Sequence, residues 1–117
     1  MSHYAIAQRW FEAFNRHKPD ELLSLYHDQA KHYSPKLKLK HPATDGLIAG
    51  KEALRNWWEE AFQNIPTLTY HPNFILCDGN RVFMEYIRKA VGDADMVVGE
   101  LLVIENGLIV ESKVYHG

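Results

Sequence analysis

The sequence predicts an α+β domain in which helices pack on one face of an antiparallel sheet. Three observations point there. Helical patterning is confined to the first half of the chain, up to Gln63. From Thr67 onward the chain reads as four consecutive strands. Tight-turn signals separate them, at Asp78-Gly79-Asn80, Gly92-Asp93 and Asn106-Gly107. Asn-Gly between apolar runs marks a hairpin, because both central residues of a type I′ turn need positive φ.

The elements follow in order. Ser2 to Asn15 is an amphipathic helix, with Ser2 able to cap it and Ile6, Trp10, Ala13 and Phe14 at helical spacing. After a break at Asn15-Arg16-His17-Lys18, Pro19 opens a second helix, with Asp20 and Glu21 in its first turn. Leu22, Leu23, Leu25 and Tyr26 supply its buried side. Ala30 to Ser34 is a short strand ended by Pro35, and residues 35–49 read as one long irregular loop. A third helix, Lys51 to Gln63, turns Leu54, Trp57, Trp58, Ala61 and Phe62 inward. The strand from Thr67 to Cys77 is bent at Pro72. No repeat or low-complexity tract interrupts the chain, so residues 1–117 are read as one domain.

Composition narrows the function. Hydrophobic residues make up 46% of the 117, which argues against disorder. A net charge of −2 gives no strong pull toward nucleic acid or an anionic membrane. The single cysteine, Cys77, excludes an internal disulfide framework and a cysteine-rich zinc site, and most simply fills core. Apolar runs are too short to span a bilayer. Met1-Ser2-His3-Tyr4 lacks a basic region followed by an apolar core, so a cytoplasmic location is expected.

Strand alternation then sorts side chains by face. A two-residue turn at Asn106-Gly107 sets Leu102 opposite Glu111, Leu101 opposite Ser112 and Glu100 opposite Lys113. One face then carries Gly99, Leu101, Ser112, Val114 and His116. Glu100 falls on the other face, paired with a lysine as a half-solvated surface would want. Propagated through the meander, the first face also gathers His71, Asn73, Tyr86 and Arg88, with His32 and Ser34 from the first strand. Trp10, Phe14 and either Trp57 or Trp58 close over it. An apolar hollow with a few convergent polar groups is what small-molecule sites look like, and Gly99 leaves room opposite Tyr86 and Arg88. His32, mid-strand, is the first candidate for proton transfer; the competing reading is a core histidine bonded to a backbone carbonyl. No ligand-spacing motif supports a metal held by His32, His71 and His116. The opposite face carries Phe74, Leu76, Phe83, Ile87, Val98, Leu102, Ile104, Ile109 and Tyr115. That stripe is too apolar for a monomer's surface, so a homodimer through the convex sheet is expected.

The chain resembles the nuclear transport factor 2-like superfamily, in its SnoaL-like polyketide cyclase and ketosteroid isomerase-like branch. The resemblance rests on Trp10-Phe11-Glu12-Ala13-Phe14-Asn15, Glu21-Leu22-Leu23-Ser24-Leu25-Tyr26, Tyr33-Ser34-Pro35, Gly50-Lys51-Glu52-Ala53-Leu54, Asn64-Ile65-Pro66 and Gly107-Leu108-Ile109-Val110-Glu111. It implies a cystatin-like cone: a curved antiparallel sheet closed by three N-terminal helices. It also implies the positions of ketosteroid isomerase chemistry, and here these hold Ser34, Trp10 and Gly99 in place of the Asp base, the Tyr and the second Asp. Isomerase activity of that Tyr/Asp/Asp type is therefore not expected.

The expectation is a domain that binds a small apolar or acidic molecule in the cone, with cofactor-free acid–base chemistry of isomerase, cyclase or lyase type. The alternative is a non-catalytic binder or a structural homodimer. His32 and His71 are the expected proton carriers. Trp10, Phe14, Ser34, Trp57, Tyr86, Arg88, Gly99, Ser112 and His116 are the expected ligand contacts.

Overall fold

A computed structural model describes residues 1–116. In order the chain forms α1 (His3–Asn15), α2 (Pro19–Leu23), β1 (Tyr26–Tyr33), α3 (Pro35–Lys40), a 3₁₀ turn (Pro42–Thr44), β2 (Leu47–Ala49), α4 (Lys51–Asn64), β3 (Thr69–Asp78), β4 (Arg81–Lys89), β5 (Met96–Glu105) and β6 (Leu108–His116). The strands make one six-stranded sheet in the order β2-β1-β6-β5-β4-β3. The meander β3 to β6 is antiparallel as expected, but β1 joins β6 in parallel. The sheet is therefore mixed.

Local chemistry explains the helices. Ser2 Oγ accepts the Ala5 amide at 3.1 Å and caps α1, which buries Ile6, Ala7, Trp10, Phe11, Ala13 and Phe14 along one stripe. In α2, Pro19 stands in the first turn beside Asp20 and Glu21, where a proline loses no helical hydrogen bond and carboxylates suit the dipole. This helix is shorter than the sequence suggests. Tyr26 opens β1 instead, and β1 starts four residues before the expected Ala30.

The stretch after Ser34 is not a structureless loop. Pro35 at the head of α3 turns the alternating Lys-Leu run into a short helix, with Leu37 buried beneath it. Thr44 Oγ1 donates to the His41 carbonyl and accepts from the Gly46 amide, closing the 3₁₀ turn. β2 then pairs with β1, Ile48 opposite His32.

Register decides which side chains face the helices, and here the structure departs from simple hairpin parity. The β4–β5 connection spans residues 90–95, so Arg88 faces Met96, Tyr86 faces Val98 and Met84 faces Glu100. This differs by one residue from a two-residue turn at Gly92-Asp93. A second one-residue shift follows. Ile104 pairs with Ile109 but Val103 pairs with Glu111, so Val110 is a bulge residue and Glu100 faces Val114. The two shifts cancel at β6 and invert β5 alone. Val98, Glu100, Leu102 and Ile104 consequently lie inside and are buried, while Gly99 and Leu101 lie outside. Ile109, assigned from sequence to the convex face, is buried too. The expected Glu100–Lys113 pair does not form; Lys113 faces Leu101, with its ammonium over the Tyr33 and Tyr115 rings.

A third shift lies in β3. Pro72 pairs with Tyr86 and Phe74 with Glu85, leaving Asn73 as the bulge. Ile75 and Cys77 keep the expected face, opposite Met84 and Val82, but Cys77 is exposed near the strand end and does not fill core. Above the bulge the parity flips, so Tyr70 turns inward opposite Arg88 and His71 turns outward.

Candidate functional site

Helices α1, α3 and α4 cover the concave side of the sheet and enclose a cavity of about 340 Å³, within the size range of small-molecule pockets. Its apolar wall is an aromatic stack. Phe14 from α1 lies 3.8 Å, centroid to centroid, from Tyr70 of β3, and Tyr70 lies 4.2 Å from Tyr86 of β4. Trp10 stacks on Phe14 at 5.6 Å. Trp57 and Trp58 both reach the cavity from α4, and Trp58 packs edge-on against Tyr26 and His32.

Two buried polar assemblies stand on the sheet wall. The first is Glu100 with Tyr86. The Tyr86 hydroxyl donates to Glu100 Oε1 at 2.8 Å. Oε2 lines no such bond: it is buried and has no partner among the described residues. Burial pushes the Glu100 carboxyl up to about 8, with the Tyr86 bond acting weakly the other way. The Tyr86 phenol is raised in turn, by burial and then by the adjacent carboxylate.

The second is a chain of four residues. Trp10 Nε1 donates to the Tyr26 hydroxyl at 3.1 Å, Tyr26 donates to Ser112 Oγ at 3.1 Å, and Ser112 Oγ lies 2.6 Å from His32 Nδ1. His32 is buried, and burial lowers its imidazole to about 4. It is therefore neutral at pH 7. His32 faces Ser112 across β1–β6, and Glu100 faces Val114 on the other side of β6. The two residues stand on strands two places apart in the sheet, and both line the cavity.

Positive charge gathers at one end. Arg88 is buried and, among the described residues, makes one side-chain bond, Nη1 to Asp93 Oδ2 at 3.2 Å. Lys36 of α3 and His116 of β6 line the same end. Both titrate lower than usual: Lys36 first through burial and then through Arg88, and His116 first through burial and then through Lys36 and Arg88.

Most of the expected contacts therefore converge. Trp10, Phe14, His32, Ser34, Trp57, Tyr86, Arg88 and His116 all line the cavity, and Ser112 stands behind His32. Two do not. His71 is exposed on the outer side, its Nε2 3.0 Å from Thr69 Oγ1, because the Asn73 bulge reverses the strand. Gly99 also faces outward, where an added Cβ would lie 2.7 Å from Phe83 Cζ; its missing side chain makes room for Phe83, not for a ligand. Glu100 and Tyr70 were missed. Glu100 is the one acid within the apolar run Met96–Ile104, and that isolation was the available signal. Among the described residues, no three His, Cys, Asp or Glu side chains cluster to hold a metal, and no helix is long and apolar enough to cross a membrane.

A curved sheet covered by helices around an apolar cavity is the architecture of the nuclear transport factor 2-like class. The chain belongs to the SnoaL-like domain family, whose model matches residues 7–112. It is similar to a SnoaL-like protein of unknown function from Burkholderia thailandensis, at 24% identity and TM-score 0.87, covering 99% of this chain and 97% of that one. It is also similar to a protein from Sinorhizobium meliloti described as a candidate polyketide cyclase, at 15% identity and TM-score 0.80, covering 95% and 94%. A third is a protein of ketosteroid isomerase-like fold from Catenulispora acidiphila, solved with trimethylamine, at 17% identity and TM-score 0.77, covering 96% and 85%. At these identities the likeness establishes the fold alone. No curated protein matches the sequence.

Proposed function

We propose that the cavity binds a small apolar carbonyl compound and that Glu100 moves a proton on it without a cofactor. The observation that carries this reading is the Glu100 carboxyl itself. One oxygen is held by Tyr86 and the other is buried on the wall of an apolar cavity, with no partner among the described residues. A buried polar atom without a partner is costly in a structural site, and a strongly perturbed carboxyl in a cleft is typical of acid–base sites.

The step is simple. The Glu100 carboxylate takes a proton from the carbon beside the carbonyl. The C–H bond breaks and its electron pair moves onto the carbonyl oxygen as an enolate. Protonated Glu100 returns the proton to the same or a conjugated carbon. A titration near 8 leaves about a tenth of the group ionised at pH 7, and makes that tenth a far stronger base than an ordinary carboxylate. Arg88 and Lys36 supply positive charge at one end, which suits a ligand that also carries an acidic group.

The experiment is deuterium exchange. The protein is incubated in D₂O with a panel of apolar ketones and keto acids, and exchange at the α-carbon is followed by proton NMR. Exchange above the buffer rate that is lost in Glu100→Gln supports the reading. Binding of panel members with no exchange would reduce the domain to a ligand binder.

We further propose that the convex sheet face pairs with a second copy of the chain. Phe74, Leu76, Val97 and Tyr115 are exposed there, and the same face carries Glu85, Glu111 and Lys113. Charges of both signs allow a two-fold pairing that sets lysine against glutamate.

A further inference from the structure

Resting on the reading of the cavity as a ligand site, we propose that Trp10, Tyr26 and Ser112 form a one-way hydrogen-bond chain that holds His32 in its Nε2–H tautomer. His32 is then a hydrogen-bond donor to an acceptor oxygen of the ligand, and not a base.

The direction of the chain follows from counting protons. The Trp10 indole nitrogen can only donate, so the Tyr26 oxygen accepts from it. Tyr26 is buried, and Ser112 Oγ is the only acceptor its hydroxyl proton has among the described residues. If Ser112 donated to Tyr26 instead, the phenol proton would be buried with no partner, an arrangement that folded proteins avoid. Ser112 therefore accepts from Tyr26 and spends its own proton on His32 Nδ1, 2.6 Å away. A neutral imidazole with Nδ1 accepting carries its proton on Nε2. That nitrogen has no partner among the described residues, and His32 lines the cavity.

The arrangement divides labour across the cavity. Glu100 supplies the group that exchanges a proton, and His32 supplies a fixed N–H where oxygen gains charge. Electrostatic help of this kind depends on a donor already oriented before the charge develops. Tyr26 and Ser112 do not line the cavity, and Trp10 lines it with its ring while its Nε1–H is spent on Tyr26; within this chain the three are positioning residues acting through the imidazole.

The test is a two-bond ¹H–¹⁵N correlation spectrum of the histidine rings in the free protein at pH 7. His32 is expected to show a protonated Nε2 and an unprotonated Nδ1. A protonated Nδ1, or both nitrogens protonated, would overturn the proposal. Tyr26→Phe removes the demand for an acceptor and is expected to give a mixture of tautomers; Ser112→Ala serves the same purpose should the first variant fold poorly. Retention of a pure Nε2–H form in both would show that the chain does not set the tautomer. Glu100→Gln is expected to leave the tautomer unchanged, which separates this proposal from the acid–base one. For the donor role, 2-tetralone is titrated in. A downfield shift of the His32 Hε2 proton supports it. Shifts at the Trp10 and Trp58 indoles with Hε2 unmoved would overturn it. No shift at either indole would overturn the ligand-cavity reading and the donor role with it, while the tautomer result stands.

Discussion

Tyr86 on β4 and Glu100 on β5 are diagonal neighbours on the inner face of the sheet, joined by a 2.8 Å bond from phenol to carboxyl. Their strand partners are Val98 and Met84, both buried. The pair is thus the most demanding polar feature of the core.

Stability should record it. Unfolded, Glu100 loses its proton near 4.5; folded, it keeps it to about 8. The folded state therefore binds the extra proton between these values, and its contribution to stability is lost as pH rises through that window. The size is on the order of 4–5 kcal/mol over the whole range. His32 works in the opposite sense. Unfolded it charges below 6.5, folded only below about 4, so stability is lost as pH falls from 6.5 to 4. The two slopes oppose one another between 4.5 and 6.5. Thermal midpoints measured against pH are expected to be flat there and to fall from 6.5 to 8. In Glu100→Gln the alkaline fall should shrink sharply; an unchanged fall would mean another group causes it.

Removing the phenol hydroxyl isolates the carboxyl. Tyr86→Phe is expected to cost about 1–2 kcal/mol in urea denaturation, since it leaves Oε1 buried without its donor. It should also cut ketone exchange at pH 7, because the carboxylate form loses the bond that favours it. Faster exchange in the variant would contradict the role given to Tyr86.

Gly99 separates the two possible faces of β5. A Cβ there would press on the Phe83 ring on the outer surface. Gly99→Ala is expected to destabilise by about 1 kcal/mol, or less if the ring swings aside, and to leave exchange and cavity binding unaltered. His71→Ala should be equally silent toward ligands. Loss of binding in either variant would restore the hairpin parity that the bulges break.

The proposed dimer has its own readout. Light scattering is expected to give twice the chain mass, and Leu76→Lys, which sets a charge on an exposed apolar residue of that face, should give the monomer with the cavity intact. A monomeric parent protein would leave the convex face without this partner.

The fold was legible because its cues are local: Ser2 as a cap, Pro19 at a helix start, Asn106-Gly107 as a turn, and a valine- and isoleucine-rich second half. Half of the site was legible for the same reason. His32, Tyr86, Arg88 and His116 sit on strands whose parity survives. Glu100 was not legible, because its face depends on a six-residue β4–β5 connection and on one extra residue at Val110. Each shifts the ladder by one, and alternation turns a slip of one residue into a reversal of face. The Asn73 bulge removed His71 from the site and put Tyr70 there by the same arithmetic. The α3 helix was hidden for a different reason: in six residues, alternating lysine and leucine carries too little periodicity to tell helix from extended chain.

The central claim is that Glu100 faces the cavity with a proton to exchange. Titration of its side-chain carboxyl by ¹³C NMR tests this without any ligand. The account expects a midpoint near 8. A midpoint near 4.5 would place the carboxyl in water and remove the proposed chemistry with it.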